Sequence, residues 1–158
     1  MYFDVTVEDV DFGLRGVLFE QAYCNNPICM PARSSMFTGL LPRDHGVRIN
    51  GQILGTHLPV LPQVLADAGF RTHAAGKLHL TPWVPKVSPP DPGRFPECLD
   101  YWRDGDIREF PTPYYGFQSV EFVGGHTSYA YGPYLQWLTE RGGSPAQLRP
   151  RKGTRDPT

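Results

Sequence analysis

The stretch Cys29-Met30-Pro31-Ala32-Arg33-Ser34-Ser35-Met36-Phe37-Thr38-Gly39 constrains this chain more than any other. Asn25-Asn26-Pro27 before it is a turn signal that breaks the preceding segment. Pro31 suits the first position of a helix, where its missing N–H costs nothing. Gly39 suits the left-handed residue just past the last turn. The spacing predicts a short helix with Cys29 at its start. Free N–H groups and the positive dipole end would face the Cys29 side chain, a favourable place for a group that carries or attacks negative charge. Arg33 lies one turn on and adds a fixed positive charge with forked donors.

The other chemistries open to a cysteine fit less well. The chain has three cysteines, an odd number, which argues against a disulfide framework. Cys24 and Cys98 read as small buried hydrophobes or as incidental. A zinc site built on Cys24 and Cys29 would need further ligands at close spacing, and none follow. The Cys-x5-Arg loop of a thiol phosphatase would put arginine where Ser35 stands. The local signature of a papain-like protease is missing.

A second candidate is Gly76-Lys77-Leu78-His79-Leu80. On an extended segment, residues two apart share a face, so Lys77 and His79 would form an anion clamp. By themselves they could equally be exposed polar residues at a strand end.

Together these two stretches resemble the sulfatase family. Cys29-x-Pro31-Ala32-Arg33, with Thr38-Gly39 after the Ser-Ser-Met run, is similar to the family's signature, and Gly76-Lys77-x-His79 to its second segment. The resemblance covers roughly residues 14–83, and more loosely 97–138. It implies an α/β fold: a partial alkaline-phosphatase-like sandwich, with a mostly parallel sheet flanked by helices. It also implies oxidation of Cys29 to formylglycine by a formylglycine-generating enzyme, and hydrolysis of a small-molecule or carbohydrate sulfate ester. The aldehyde hydrate would attack sulfur as a covalent nucleophile. Calcium, bound in part through the residue derived from Cys29, would activate the attacking hydroxyl. Arg33, Lys77 and His79 would be catalytic, with Lys77 and His79 holding the sulfate. The second hydroxyl would then expel sulfate by collapsing to the aldehyde, a route closed to serine or a thiol. A phosphonate or phosphate-ester hydrolase of the same superfamily is an alternative, because the substrates share a tetrahedral anionic shape. A non-catalytic truncated remnant is another.

The departures from the family are specific. Family members open with an apolar strand ending in a metal-binding Asp pair. Glu8, Asp9 and Asp11 stand too close to Cys29 for that role and read as surface or loop acids. The downstream acidic pair is not identifiable either. Calcium takes about six oxygen ligands, so the expectation is half a site, weak or inactive by itself. Family members are far longer, which implies an N-terminal fragment or a truncated member.

Bulk properties set the remaining bounds. At 158 residues and 40% hydrophobic content, the chain is about one domain with a real core. A net charge of −1 gives no electrostatic reason to expect nucleic acid or an anionic membrane as partner. No apolar run approaches the ~20 residues that span a bilayer. No signal peptide is visible, so a chain that truly starts at Met1 is expected in the cytoplasm.

Alternation predicts a strand at Phe3–Val7, and the resemblance places another at Leu14–Cys24. Leu41–Val47 reads as a turn region with a turn or surface histidine, His45. Leu61, Val64, Leu65 and Ala68 predict a helix within Leu58–Ala68, its start confined by Pro59 and Pro62 and its end marked by Gly69. Phe70–Ala75 reads as a strand, with His73 structural. Twelve of the seventeen prolines lie from Pro82 onward, which predicts a proline-rich loop region over 82–118. Within it, Asp104-Gly105-Asp106 reads as a hairpin turn. Ser119–Val123 is a predicted strand running into Gly124-Gly125, and Pro133–Arg141 a short helix stopped by Gly142-Gly143. His126 follows the glycine turn and its orientation is left open. Residues 1–140 are expected as one partial catalytic domain, and 141–158 as a disordered basic tail.

Overall fold

A computed structural model describes residues 19, 21–84, 89–126, 129–144 and 146 of the chain. The predicted strand at Phe3–Val7, the acids Glu8, Asp9 and Asp11, and most of the expected tail lie outside these residues. The element order is α1 (Cys29–Thr38), α2 (Pro42–His45), α3 (Leu61–Asp67), β1 (His73–Gly76), α4 (Leu99–Asp104), β2 (Ser119–Phe122) and α5 (Pro133–Glu140). β1 and β2 pair in parallel, with His73 opposite Ser119 and Gly76 opposite Phe122. The mixed α/β reading with a parallel sheet therefore holds. The whole segment 77–118, including α4, is the crossover between the two strands. That is the kind of long connection parallel pairing requires.

The helix around the cysteine starts earlier than its proline suggests. Cys29 is the first helical residue and Pro31 the third. The first three N–H groups of a helix have no intrahelical partner, so proline fits there as well as at the first position. The first helical bond runs from the Ala32 N–H to the Ile28 carbonyl at 3.1 Å. The Met30 N–H donates to Asn50 Oδ1 (3.0 Å), a cap supplied from across the fold. With Pro31 lacking a donor, the helix end has fewer free N–H groups than the sequence implies. Gly39 closes the helix in the left-handed region at φ 71°, its N–H on the Ser35 carbonyl. The Thr38 hydroxyl accepts from the Leu40 N–H at 3.1 Å.

Several expectations need correction. The described part of the Leu14–Cys24 segment (Phe19 and 21–24) forms no strand. Cys24 is exposed, whereas Cys98 is buried as expected. Leu41–Val47 contains the short helix α2, and His45 is buried. Its Nδ1 accepts from the Val47 N–H (3.1 Å), so Nε2 carries the proton and donates to Ser35 Oγ (2.9 Å). Asp104-Gly105 ends α4 in a left-handed cap rather than turning a hairpin. α3 forms, but Leu61 and Val64 are 57% and 54% exposed, so its apolar stripe is not its buried face.

The main core is built where the crossover folds back on the sheet. Phe122, at the end of β2, is fully buried. Its ring lies against Phe110 (4.8 Å between centroids), Tyr131 (5.8 Å) and Trp102 (5.9 Å). Met30, Leu54, Leu78 and Leu80 join the same cluster, tying α1 to the residues just after β1. A smaller cluster of Phe95, Cys98, Tyr101 and Ile107 lies under the proline-rich segment. No described helix is long and apolar enough to cross a membrane.

Candidate active site

The C-terminal end of β1 and the start of α1 come together at one place. Cys29 is half-buried at the first turn of α1. The Lys77 ammonium lies near Cys29, close enough for its charge to interact with the sulfur group. From the same helix, the Arg33 guanidinium donates to the Lys77 backbone carbonyl. Lys77, more than forty residues further along the chain, thus joins Arg33 and Cys29 in one group. Cys29 and Arg33 also line an open cavity of about 640 Å³, with Tyr23, Cys24, Asn25 and Met36.

Lys77 and His79 do not lie on an extended strand, contrary to the sequence reading. β1 ends at Gly76, and His79 adopts a left-handed backbone with φ 59°. Such a conformation is uncommon for a residue with a side chain and needs support from its surroundings. The two side chains meet through Trp83 instead of through strand alternation. The His79 ring stacks on Trp83 at 4.3 Å and 19°. Lys77 Nζ sits 4.5 Å from the centre of the same indole, within cation–π range. His126 packs edge-on against Trp83 at 4.8 Å. Sequence reasoning could not place His126, because only the folded crossover brings it to this indole.

The electrostatics follow from this packing. Burial lowers the Lys77 pKa, opposed by its contact with Cys29. Burial, then the charges of Lys77 and Arg33, push His79 down to about 3. His79 is 3% exposed and is therefore a neutral imidazole at ordinary pH. Its Nδ1 is buried and has no hydrogen-bond partner among the described residues. His126 is also lowered, first by burial and then by Lys77.

The support for the loop is a residue that sequence analysis passed over. Glu97 is fully buried, and its carboxylate faces the backbone of residues 79–81. Oε1 accepts from the Leu80 N–H (2.7 Å), the Thr81 N–H (3.1 Å) and the Tyr114 hydroxyl (2.7 Å). Oε2 accepts from the His79 N–H. The Tyr131 hydroxyl donates to the Glu97 backbone carbonyl. Burial raises the Glu97 pKa, and these donors oppose it. The available signal was an acid set between Phe95-Pro96 and Cys98, among residues that all bury.

The residues around Cys29 do not fit a hard dication. They offer ammonium, guanidinium and imidazole groups, whereas calcium is held by oxygen ligands. Among the described residues, no three His, Cys, Asp or Glu side chains come together as a metal site.

The geometry gathers an ammonium and a guanidinium near a cysteine at the start of α1, and comparison with known proteins gives the family. The sulfatase family model matches residues 12–144. An uncharacterized sulfatase, YidJ, of Escherichia coli K12 is 32% identical over 93 residues, covering 57% of this chain and 18% of that protein. The N-acetylgalactosamine-6-sulfatase of Sus scrofa is 33% identical over 78 residues, covering 41% and 15%. Arylsulfatase K of Xenopus laevis is 36% identical over 62 residues, covering 39% and 12%. The chain thus spans less than a fifth of each of these relatives. With most of its length matched by the family model, and with the parallel α/β arrangement that fits the alkaline-phosphatase-like fold of that family, the chain belongs to the sulfatase family.

Proposed function

We propose that this chain carries the nucleophile-bearing part of a sulfate-ester hydrolase site. Cys29 is the precursor of formylglycine, and Arg33, Lys77 and His79 receive the sulfate group. The observation that carries this reading is that Lys77 lies near Cys29 while Arg33, on the same cavity as Cys29, holds the Lys77 backbone carbonyl. An aldehyde at position 29 supplies, as its hydrate, a nucleophile that can later release sulfate by elimination. The chain's own residues do the rest. Lys77 and Arg33 place fixed positive charge where negative charge gathers on the sulfate oxygens. Neutral His79 holds a proton on one ring nitrogen, and its buried Nδ1 lacks a hydrogen-bond partner among the described residues. Trp83 keeps Lys77 and His79 in register with each other. The sulfatase names of the relatives support a small-molecule or carbohydrate sulfate ester as substrate. Calcium belongs to this proposal as a family expectation, with no step assigned to it. Residues 1–140 form the partial catalytic unit and 141–158 a basic tail, a division supported by the matched span of 12–144.

The test is co-expression with a formylglycine-generating enzyme, followed by peptide mass measurement. Replacing CH2SH by CHO lowers the mass of the Cys29 peptide by about 18 Da. Conversion is expected, and turnover of an aryl sulfate that is lost in Lys77→Ala would complete the case. A peptide that keeps its thiol mass under conditions that convert a control sulfatase would overturn the proposal.

A further inference from the structure

We propose that Glu97 is a positioning residue whose carboxylate holds the 77–81 loop in the conformation that sets Lys77 near Cys29 and His79 against Trp83. The inference rests on the anion-clamp reading above and adds a residue that neither motif contains.

Three consecutive N–H groups, those of His79, Leu80 and Thr81, converge on one fully buried side chain. Along a strand successive N–H groups point to opposite sides, so three that converge on one acceptor need a backbone that has left strand geometry. The left-handed φ of His79 produces that arrangement here. Without Glu97, three buried donors would lack acceptors, and the loop would have no reason to keep a strained residue at 79. The carboxylate is itself fixed from two further sides. Tyr114 donates to Oε1, and Tyr131 ties down the Glu97 backbone carbonyl. The chain of causes runs from the aromatic core through Glu97 to the loop backbone, and from there to Lys77 and His79. Glu97 makes no hydrogen bond to Cys29, Arg33 or the Lys77 side chain among the described residues; beyond a charge interaction with Lys77, its action on the clamp runs through the loop backbone.

The experiment measures inorganic sulfate binding to the full chain by titration calorimetry, with thermal stability measured in parallel. The proteins are the wild type, Lys77→Ala, Glu97→Gln, Glu97→Asp and Val60→Ala. Glu97→Gln keeps the shape but turns one acceptor into a donor facing N–H groups. Glu97→Asp keeps the charge but falls short of the loop, and it carries the test if the glutamine variant does not fold. Val60→Ala removes core packing at the start of α3 and serves as the control for lost stability. The expected result is wild-type binding that Lys77→Ala weakens, a loss of about tenfold or more in affinity for the Glu97 variants, and unchanged affinity in Val60→Ala. Folded Glu97 variants with wild-type affinity, alongside a weakened Lys77→Ala, would overturn the positioning role and leave the clamp intact. A loss in Val60→Ala equal to that in the Glu97 variants would reduce Glu97 to a stability residue. Sulfate binding that does not depend on Lys77, or is absent in the wild type, would remove the clamp reading itself and this inference with it.

Discussion

Acidification should destabilise this protein through His79, by an amount that can be worked out in advance. His79 is 3% exposed, and its folded-state pKa is about 3, against 6.5 for the free side chain. Above pH 6.5 both folded and unfolded states hold it neutral, and it contributes no pH dependence. Below 6.5 the unfolded chain takes up a proton that the folded state refuses, so stability falls as the pH drops from 6.5 towards 3. By about pH 5 the loss amounts to about 2 kcal/mol, a substantial part of the 5–15 kcal/mol that holds a typical domain together. Urea unfolding at about pH 7.5 and pH 5, in the wild type and in His79→Gln, isolates this contribution. His45 and His126 are shifted in the same direction, but they remain in both proteins and cancel in the difference. The wild type should lose about 2 kcal/mol more than the variant over this interval. Equal losses would refute the reasoning, because they would mean that His79 binds its proton in the folded state as readily as in the unfolded one.

Three further outcomes follow from packing and hydrogen bonding. Phe122→Ala empties a fully buried position at the centre of the aromatic cluster and should cost about 3–5 kcal/mol, read from a denaturant midpoint at constant slope. Gly116→Ala should lower the melting temperature sharply. The residue sits at φ 81°, and a Cβ there would lie 2.2 Å from the Gln63 backbone nitrogen, so about 2 kcal/mol or more is at stake; a neutral result would show that α3 can shift freely. Ser35→Ala removes the buried hydrogen bond between Ser35 Oγ and His45 Nε2 and should cost about 1 kcal/mol in urea unfolding.

The signals that sequence reasoning used well were local. Gly39 marked the end of α1, Pro133 the start of α5, and Gly69 the end of α3. Each works through its own backbone preference, which needs no tertiary partner. The edges where this failed are informative. Pro31 is compatible with any of the first three helical positions, so it could not fix the start of α1. Periodicity along α3 identified a helix but not its buried face, since Pro62 is buried there and Leu61 is not. Gly105 was read as part of a hairpin turn and instead caps α4, because the residues before it form a helix and the same left-handed preference serves both.

The candidate site divides in the same way. The sequence by itself singled out the candidate groups: a cysteine at a helix start, an arginine one turn later, and a lysine and histidine two apart. Their type was legible because ionisable and nucleophilic character belongs to the side chain, but spacing alone did not separate Lys77 and His79 from exposed polar residues; the family resemblance joined them to Cys29. Only the tertiary structure decided how they meet. Lys77 and His79 come together on Trp83 rather than along a strand, and His126 joins them there. The loop that carries them is held by Glu97, sixteen to eighteen residues away in sequence. A buried carboxylate is tolerated only when enough donors close around it. That condition is met by the fold as a whole, and no window of local sequence contains it.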